Sequence, residues 1–269
     1  MKQVIIITGA SSGIGKATAE LFAQMKWEVF SFSRKEIVPN HPNQKNLVVD
    51  ITNPESIRSA IKSVYDSSGK IDVIVNNAGF GAFGAFETSS HSERNSMFQV
   101  NVFGLMNMIQ ETLPYLRKQR FGTIVNVSSI GGLITYPLFS VYHSTKWAVE
   151  GFSESLHYEL KPFGIQVKII EPGATKTKFN SESLHEYKDK SIDDYLQYVN
   201  KLTKTKDSSF VDAIEPEDVA KTIFDAVMSP KPRLRFIVGN QRSKTLANLR
   251  KILPTSWFIS FLEKRLNIN

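Results

Sequence analysis

Tyr142 and Lys146 lie four residues apart in the stretch SSIGGLITYPLFSVYHSTKWAVEG (residues 128–151), and Ser129 precedes the tyrosine by thirteen residues. Residues i and i+4 share one face of a helix, so a phenol and an ammonium would stand side by side. A free tyrosine has a pKa of about 10. A nearby ammonium favours the phenolate and brings the group toward general acid–base work near neutral pH. A serine hydroxyl at a strand end can hydrogen-bond a reacting oxygen and stabilise its developing charge. Each residue also has an ordinary reading: Tyr142 as a half-buried helix aromatic, Lys146 as a solvated charge, Ser129 as a strand-end turn. Ser128 competes with Ser129, but alternation along a strand sends the two side chains to opposite faces. His143 lies about 100° round the helix from Tyr142 and is given no role.

Such a constellation needs a frame. Apolar strand-like runs alternate with helix-length segments along the chain: VIIIT (4–8), EVFSFSR (28–34), NLVVD (46–50), IDVIVNNAG (71–79), GTIVNVSS (122–129), GIQVKIIEPG (164–173) and LRFIVG (234–239). Helical segments lie between them, among them KATAELFAQM, PESIRSAIKSVYDSS, a long helix over Glu93 to Lys118, VYHSTKWAVEGFSESLHYEL and one opened by Pro216. Continuous apolar runs suit strands buried on both faces. The alternation predicts an α/β fold of Rossmann type: a doubly wound, mostly parallel, seven-stranded sheet with helices on both faces. With no repeat, low-complexity segment or linker, residues 1–269 are expected to form a single domain.

The first strand runs into TGASSGIG (8–15) and then a helix. Gly9, Gly13 and Gly15 permit a tight turn and close backbone approach to a pyrophosphate, and the helix start offers free N–H groups. Ser11, Ser12 and Ile14 complete this expected dinucleotide loop. Strand two ends in Ser33-Arg34; an arginine there suits a 2′-phosphate, whereas an acid suits the 2′-hydroxyl of NAD. NADP(H) is therefore favoured over NAD(H). Asp50, with Ile51 beside it, is placed to accept from an adenine amino group, or simply to cap a turn before Thr52-Asn53-Pro54.

Composition narrows the options. There is no cysteine, which excludes disulfides and thiol chemistry. The five histidines (His41, His91, His143, His157, His185) include no i, i+4 pair, so no catalytic metal is expected. Four consecutive apolar residues near the N-terminus are too few for a signal peptide, and no run approaches the roughly 18 needed to cross a bilayer. A soluble, cytoplasmic protein is expected. The net charge of +7 is uneven: residues 231–269 hold nine Lys/Arg against Glu263 alone, so the rest of the chain is close to neutral. That argues against nucleic acid as a partner.

TGxxxGIG at 8–15, NNAG at 76–79, Asn101, Ser129, YxxxK at 142–146 and PGxxxT at 172–177 occur in one order. Together they resemble the short-chain dehydrogenase/reductase family over roughly residues 3–240. The resemblance implies interconversion of a carbonyl and an alcohol by hydride transfer, with Tyr142 as general acid/base and Ser129 holding the substrate oxygen. It implies that Lys146 also grips the nicotinamide ribose, and that Asn101 holds a water linking Lys146 to solvent. It further implies that Asn77, Ala78 and Gly79 support the adenine ribose, and that Pro172, Gly173, Thr175 and Thr177 meet the nicotinamide carboxamide. The segment 178–215 would be a substrate lid, lined by Tyr187, Tyr195, Leu196 and Val199, or these would only pack a surface helix. The family commonly forms homodimers or homotetramers through its two longest helices. Alternatives are a non-catalytic dinucleotide-binding regulator, and a lyase or epimerase that uses bound NADP.

GLITYPLF (132–139) is expected to complete the pocket wall, which suggests a fairly apolar small-molecule substrate. The basic amphipathic extension 241–269 places Leu246, Leu249, Ile252 and Leu253 on one helical face, with Trp257, Phe258, Phe261 and Leu262 beyond Pro254. Packing over the pocket or at a subunit interface is favoured; weak contact with an anionic membrane surface is the alternative.

Overall fold

Alternate residues of one strand feed two separate cores. In β1 (Val4–Thr8) all five residues are buried. Val4 and Ile6 join one apolar cluster, while Ile5 and Ile7 join another. A computed structural model describes residues 2–177, 184–187, 192–209 and 212–268. The first cluster packs α2 (Pro54–Ser68), α4 (Leu105–Gln119) and α5 (Ser140–Leu160) on one face of the sheet. The second packs α1 (Gly13–Gln24) and α7 (Pro216–Met228) on the other.

The central sheet has the order β3 (Gln44–Val48), β2 (Glu28–Ser33), β1, β4 (Val73–Asn76), β6 (Gly122–Val127), β7 (Ile165–Pro172), β9 (Arg235–Val238). Every pairing is parallel. The strand order reverses beside β1, and such a switch point opens a crevice at the carboxyl ends of the strands. A second, two-stranded sheet joins β5 (Gly81–Phe83) in parallel to β8 (Leu184–Glu186).

Two elements differ from the sequence reading. The third strand ends at Val48 rather than Asp50, because the Asp50 carboxylate turns to accept from the Thr52 N–H at 2.9 Å and its hydroxyl at 2.8 Å. The long helix over Glu93 to Lys118 is interrupted. It starts earlier, as α3 (His91–Phe98), because Ser90 and Glu93 form a reciprocal capping box. A π-helical stretch at Gln99–Gly104 then separates it from α4.

The lid region holds α6 (Leu196–Ser209). Parts of the lid expected at 178–215, namely 178–183, 188–191 and 210–211, lie outside the described residues. The C-terminal extension forms a helical hairpin, α8 (Gln241–Ile252) and α9 (Thr255–Leu266). Its Leu246, Phe258 and Leu262 pack on Ile134. Leu266 joins Phe83, Ala85, Leu138 and Leu202. No described helix is long and apolar enough to cross a membrane.

One polar knot ties the edge strand to the body. Arg235 on β9 meets Glu150 at 3.1 Å, Glu171 at 3.3 Å and Glu154 at 2.8 Å. Glu171 is fully buried, and burial pushes its carboxyl up to about 8. The neighbouring Glu150 carboxylate adds to this shift, against the pull of Arg235 and Lys251, so Glu171 keeps its proton at neutral pH.

Candidate active site

A cavity of about 630 Å³ runs along the carboxyl ends of the strands. One end is made of backbone. Gly9 holds φ +67°, and a Cβ there would come within 2.9 Å of the Ala78 backbone. Thr8 locks the two loops together: its hydroxyl accepts from the N–H groups of Asn77 and Ala78, both at 3.0 Å. The Asn77 amide donates back to the Thr8 carbonyl at 3.0 Å. Thr8 was not singled out from the sequence, and its sign is only positional: a hydroxyl where β1 ends.

Helix α1 begins without a side-chain cap from Ser12 and without an acid in its first turn. Its first N–H groups and the positive end of its dipole therefore suit an anion. Ser11, Ser12, Gly13 and Ile14 border the cavity, as do Arg34, Asp50 and Ile51 farther along. Gly15 does not. A Cβ there would sit 2.4 Å from the Gly9 carbonyl oxygen, so this glycine lets α1 lie against the loop. An uncapped helix start behind a glycine turn, with Arg34 beyond it, fits the diphosphate and adenosine half of a dinucleotide.

The other half lies between β6 and α5. Ser129, just past the end of β6, is nearly buried; its hydroxyl accepts from Gly131 N–H at 3.0 Å and bonds with Tyr142. The Ser128 hydroxyl sits instead against Gly132 beside Glu150, so the two serines do diverge. Lys146 donates to the Val127 carbonyl at 3.1 Å, and its ammonium lies 5.9 Å from the Tyr142 ring centre. Here the expected tuning is corrected. Burial pushes the Tyr142 phenol up, outweighing the Ser129 hydrogen bond. The lysine is aimed at Val127 rather than at the phenol, and burial lowers it to about 8, against the pull of Glu150. At neutral pH the site therefore holds a protonated phenol beside an ammonium.

Asn101 has its side chain committed to protein partners. It is buried within the π-helical stretch and does not border the cavity. Its side chain accepts from Phe80 N–H at 3.0 Å, donates to the Phe80 carbonyl at 2.8 Å and to Thr145 at 3.1 Å. Those bonds fix Gly79–Phe80 against α5, which makes the side chain a positioning group.

Pro172, Gly173, Thr175 and Thr177 all border the cavity, and the Thr175 hydroxyl donates to the Gly173 carbonyl at 3.0 Å. The wall expected from 132–139 is only partly there. Tyr136, Pro137 and Phe139 line it, but Ile134 and Leu138 turn away to anchor the hairpin and α6. His143 holds this loop: its Nε2 accepts from Tyr136 N–H and its Nδ1 bonds the Gly131 carbonyl, both at 2.9 Å. From the lid, Leu184 and Leu202 reach the cavity, whereas the expected Tyr187, Tyr195, Leu196 and Val199 do not. Tyr187 is buried beside Gly84, and Leu196 is exposed. Arg242, Ser243, Leu246, Arg265 and Leu266 of the hairpin complete the wall. The hairpin thus covers the pocket, the favoured of its two sequence readings.

Comparison with known proteins agrees with this arrangement. The short chain dehydrogenase family matches residues 3–188. A 3-ketodihydrosphingosine reductase of Bacteroides thetaiotaomicron is 36% identical over 253 residues, covering 94% of this chain and 93% of its own. An NADPH-dependent 3-dehydrocapnine reductase of Ornithobacterium rhinotracheale is 31% identical, covering 88% of each chain. The crystal structure of a short-chain dehydrogenase from Streptomyces avermitilis superposes with a TM-score of 0.82 at 31% identity, covering 96% of each chain.

Proposed function

The chain belongs to the short-chain dehydrogenase/reductase family, and on that premise we propose that it is an NADP(H)-dependent reductase of an apolar-chain ketone, with Tyr142 as the proton donor. The observation that carries this is the cavity bordered at once by the uncapped α1 start, by Arg34 and by Ser129, Tyr142 and Lys146. A nicotinamide dinucleotide supplies the hydride when bound. Gly9 to Ile14, Arg34 and Asp50 would hold its adenosine half, and Lys146 with Pro172 to Thr177 its nicotinamide half.

The residues of the chain do the rest. Ser129 and Tyr142 converge on the carbonyl oxygen of the substrate and orient it. The raised phenol keeps its proton at neutral pH and gives it to that oxygen as negative charge develops. The phenolate left behind is balanced by the Lys146 ammonium. Asn101 acts through Phe80 and Thr145, by fixing the wall beside Lys146. Two relatives are named as reductases, one of them NADPH-dependent, which supports the direction and the cofactor. Arg34, which follows the end of β2 and borders the cavity, supports NADP(H) over NAD(H), since a guanidinium there suits a 2′-phosphate.

The test is loss of NADPH absorbance on adding long-chain β-oxo compounds to the full chain, with NADH in parallel. Net oxidation with a preference for NADPH is expected. Turnover without net oxidation would indicate a lyase or epimerase, and binding without turnover a regulator; either overturns the proposal.

Two partner surfaces accompany this proposal. Exposed Phe103, Trp147 and Tyr158, on the π-helical stretch and α5, support a homodimer or homotetramer, testable by light scattering. Exposed Ile252, Trp257 and Phe261 beside Lys251 and Lys264 support weak contact with anionic lipid, testable by co-sedimentation with liposomes.

A further inference from the structure

We propose that Arg242 and Arg265 form an anion subsite at the substrate end of the cavity, so that the substrate is an amphiphile carrying a carboxylate, sulfonate or phosphate on an apolar chain. The inference rests on the substrate-end assignment made above, and it concerns two residues outside the catalytic set. Arg242 is in the first turn of α8 and Arg265 in the last turn of α9, so the hairpin brings opposite ends of its two helices to one cavity wall. Both guanidiniums act on the same phenol: burial pushes Tyr136 up, and Arg242 and Arg265 pull it back down.

Neither arginine makes a hydrogen bond or ion pair among the described residues. The helix that carries Arg242 is capped by the neutral Asn240 side chain and has no acid in its first turn, so a cation sits against the positive end of the helix dipole with no carboxylate beside it among the described residues. The four lysine and arginine side chains among the described lining residues divide cleanly. Arg34 stands at the adenosine end and Lys146 beside Tyr142, which leaves these two for another anion. Among the described lining residues Asp50 is the only acid, and it lies at the adenosine end. Beside Tyr136, Asn240 and Ser243, the wall at this end is apolar: Phe83, Phe139, Leu184, Leu202, Leu246 and Leu266. Cations without counter-ions at the rim of an apolar wall match a ligand that is anionic at one end and hydrocarbon along its length. Guanidinium forks accept planar carboxylates and tetrahedral oxyanions alike, so the shared chemistry is the oxyanion.

The experiment uses the full chain with NADPH bound. Calorimetric titration compares an alkyl carboxylate, an alkyl sulfonate, an alkyl phosphate and the primary alcohol of the same chain length. All three anions are alternatives for one subsite, and the tightest names the source. At least one anion is expected to bind roughly tenfold or more tightly than the alcohol. Arg242→Gln with Arg265→Gln should erase that preference and leave the affinity for NADPH unchanged. High salt should reduce the preference in the wild-type protein, a measurement that needs no variant. Equal binding of anions and alcohol by the wild type, a preference that survives the double substitution, or an NADPH affinity that falls with it would each overturn the subsite. Tyr142→Phe separates this from the proposed function. If that variant turns over a ketone normally, the proton-donor role fails while the anion preference stands.

Discussion

The two ends of the cavity are built by different means. At the adenosine end a main-chain turn, Gly9, Gly13 and the start of α1, is held by the Thr8 hydroxyl over contacts with the next loop, and Arg34, Asp50 and Ile51 stand farther along. At the substrate end the wall is side chains from distant parts of the chain, among them Phe83, 136–143, Leu184, Leu202 and the hairpin beyond residue 240. A main-chain wall accepts few substitutions and fixes one ligand shape. A wall of packed side chains can be rebuilt residue by residue. On the proposed function, this difference predicts that changes at one end should leave binding at the other nearly intact.

The strongest way to break that separation is at the residue where the ends meet. Tyr142→Phe should lower ketone turnover by about 10²–10⁴-fold, with NADPH affinity within a few-fold of the wild type. Stopped-flow reduction and NADPH fluorescence titration check both halves. Phe258 on α9 is almost fully buried between the hairpin and Ile134. Phe258→Ala should cost about 3 kcal/mol of stability, seen as a fall of several degrees in Tm, and raise KM for the ketone while Kd for NADPH stays put. Equal damage to both constants would end the claim that the ends are separable.

Acid offers a third probe. His143 must be neutral for its Nε2 to accept from Tyr136, and burial lowers its pKa from 6.5 to about 4. The unfolded chain binds this proton first. Stability should therefore be full above pH 6.5 and be lost as pH falls from there to about 4, by up to about 3 kcal/mol. Hydrogen exchange should show residues 130–139 opening before the Thr8 contacts, and His143→Gln should flatten the dependence. The smallest effect is expected from Gly9→Ala. At φ +67° any side chain costs about 1–2 kcal/mol, so NADPH affinity should fall about tenfold while the hairpin stays as stable as before. Limited proteolysis after residue 240 checks the second part.

The same contrast explains what could be read from the sequence. Strand and helix periodicity placed all seven strands of the central sheet, because burial on both faces leaves long apolar runs such as Val4–Ile7. The glycine loop and the Tyr142–Lys146 spacing were visible because each motif is local. The third strand slipped by two residues, because Asp50 is drawn into a turn by Thr52. The break at Gln99–Gly104 carries no proline or isolated apolar gap; it is set by Asn101 bonding to Phe80 and Thr145, contacts 21 and 44 residues away. The choice between lining and packing for the lid residues is not legible in the sequence for a related reason. A face apolar enough to line a pocket is equally able to pack, and Gly84 decides the matter by admitting Tyr187 against its backbone. The effect of Lys146 on Tyr142 depends on where an ammonium points, which spacing alone does not fix.

The knot at Arg235 has a consequence for synthesis. Glu150 and Glu171 leave the ribosome well before Arg235, the guanidinium that bridges them. Until β9 arrives, those carboxylates keep their water, and α5 and β7 cannot close fully over them. The nascent chain can therefore complete its dinucleotide-binding half early, while the other half waits for the last 35 residues. A ribosome stalled shortly before residue 235 should carry a chain that protects β1 to β4 from protease and leaves α5 open to it.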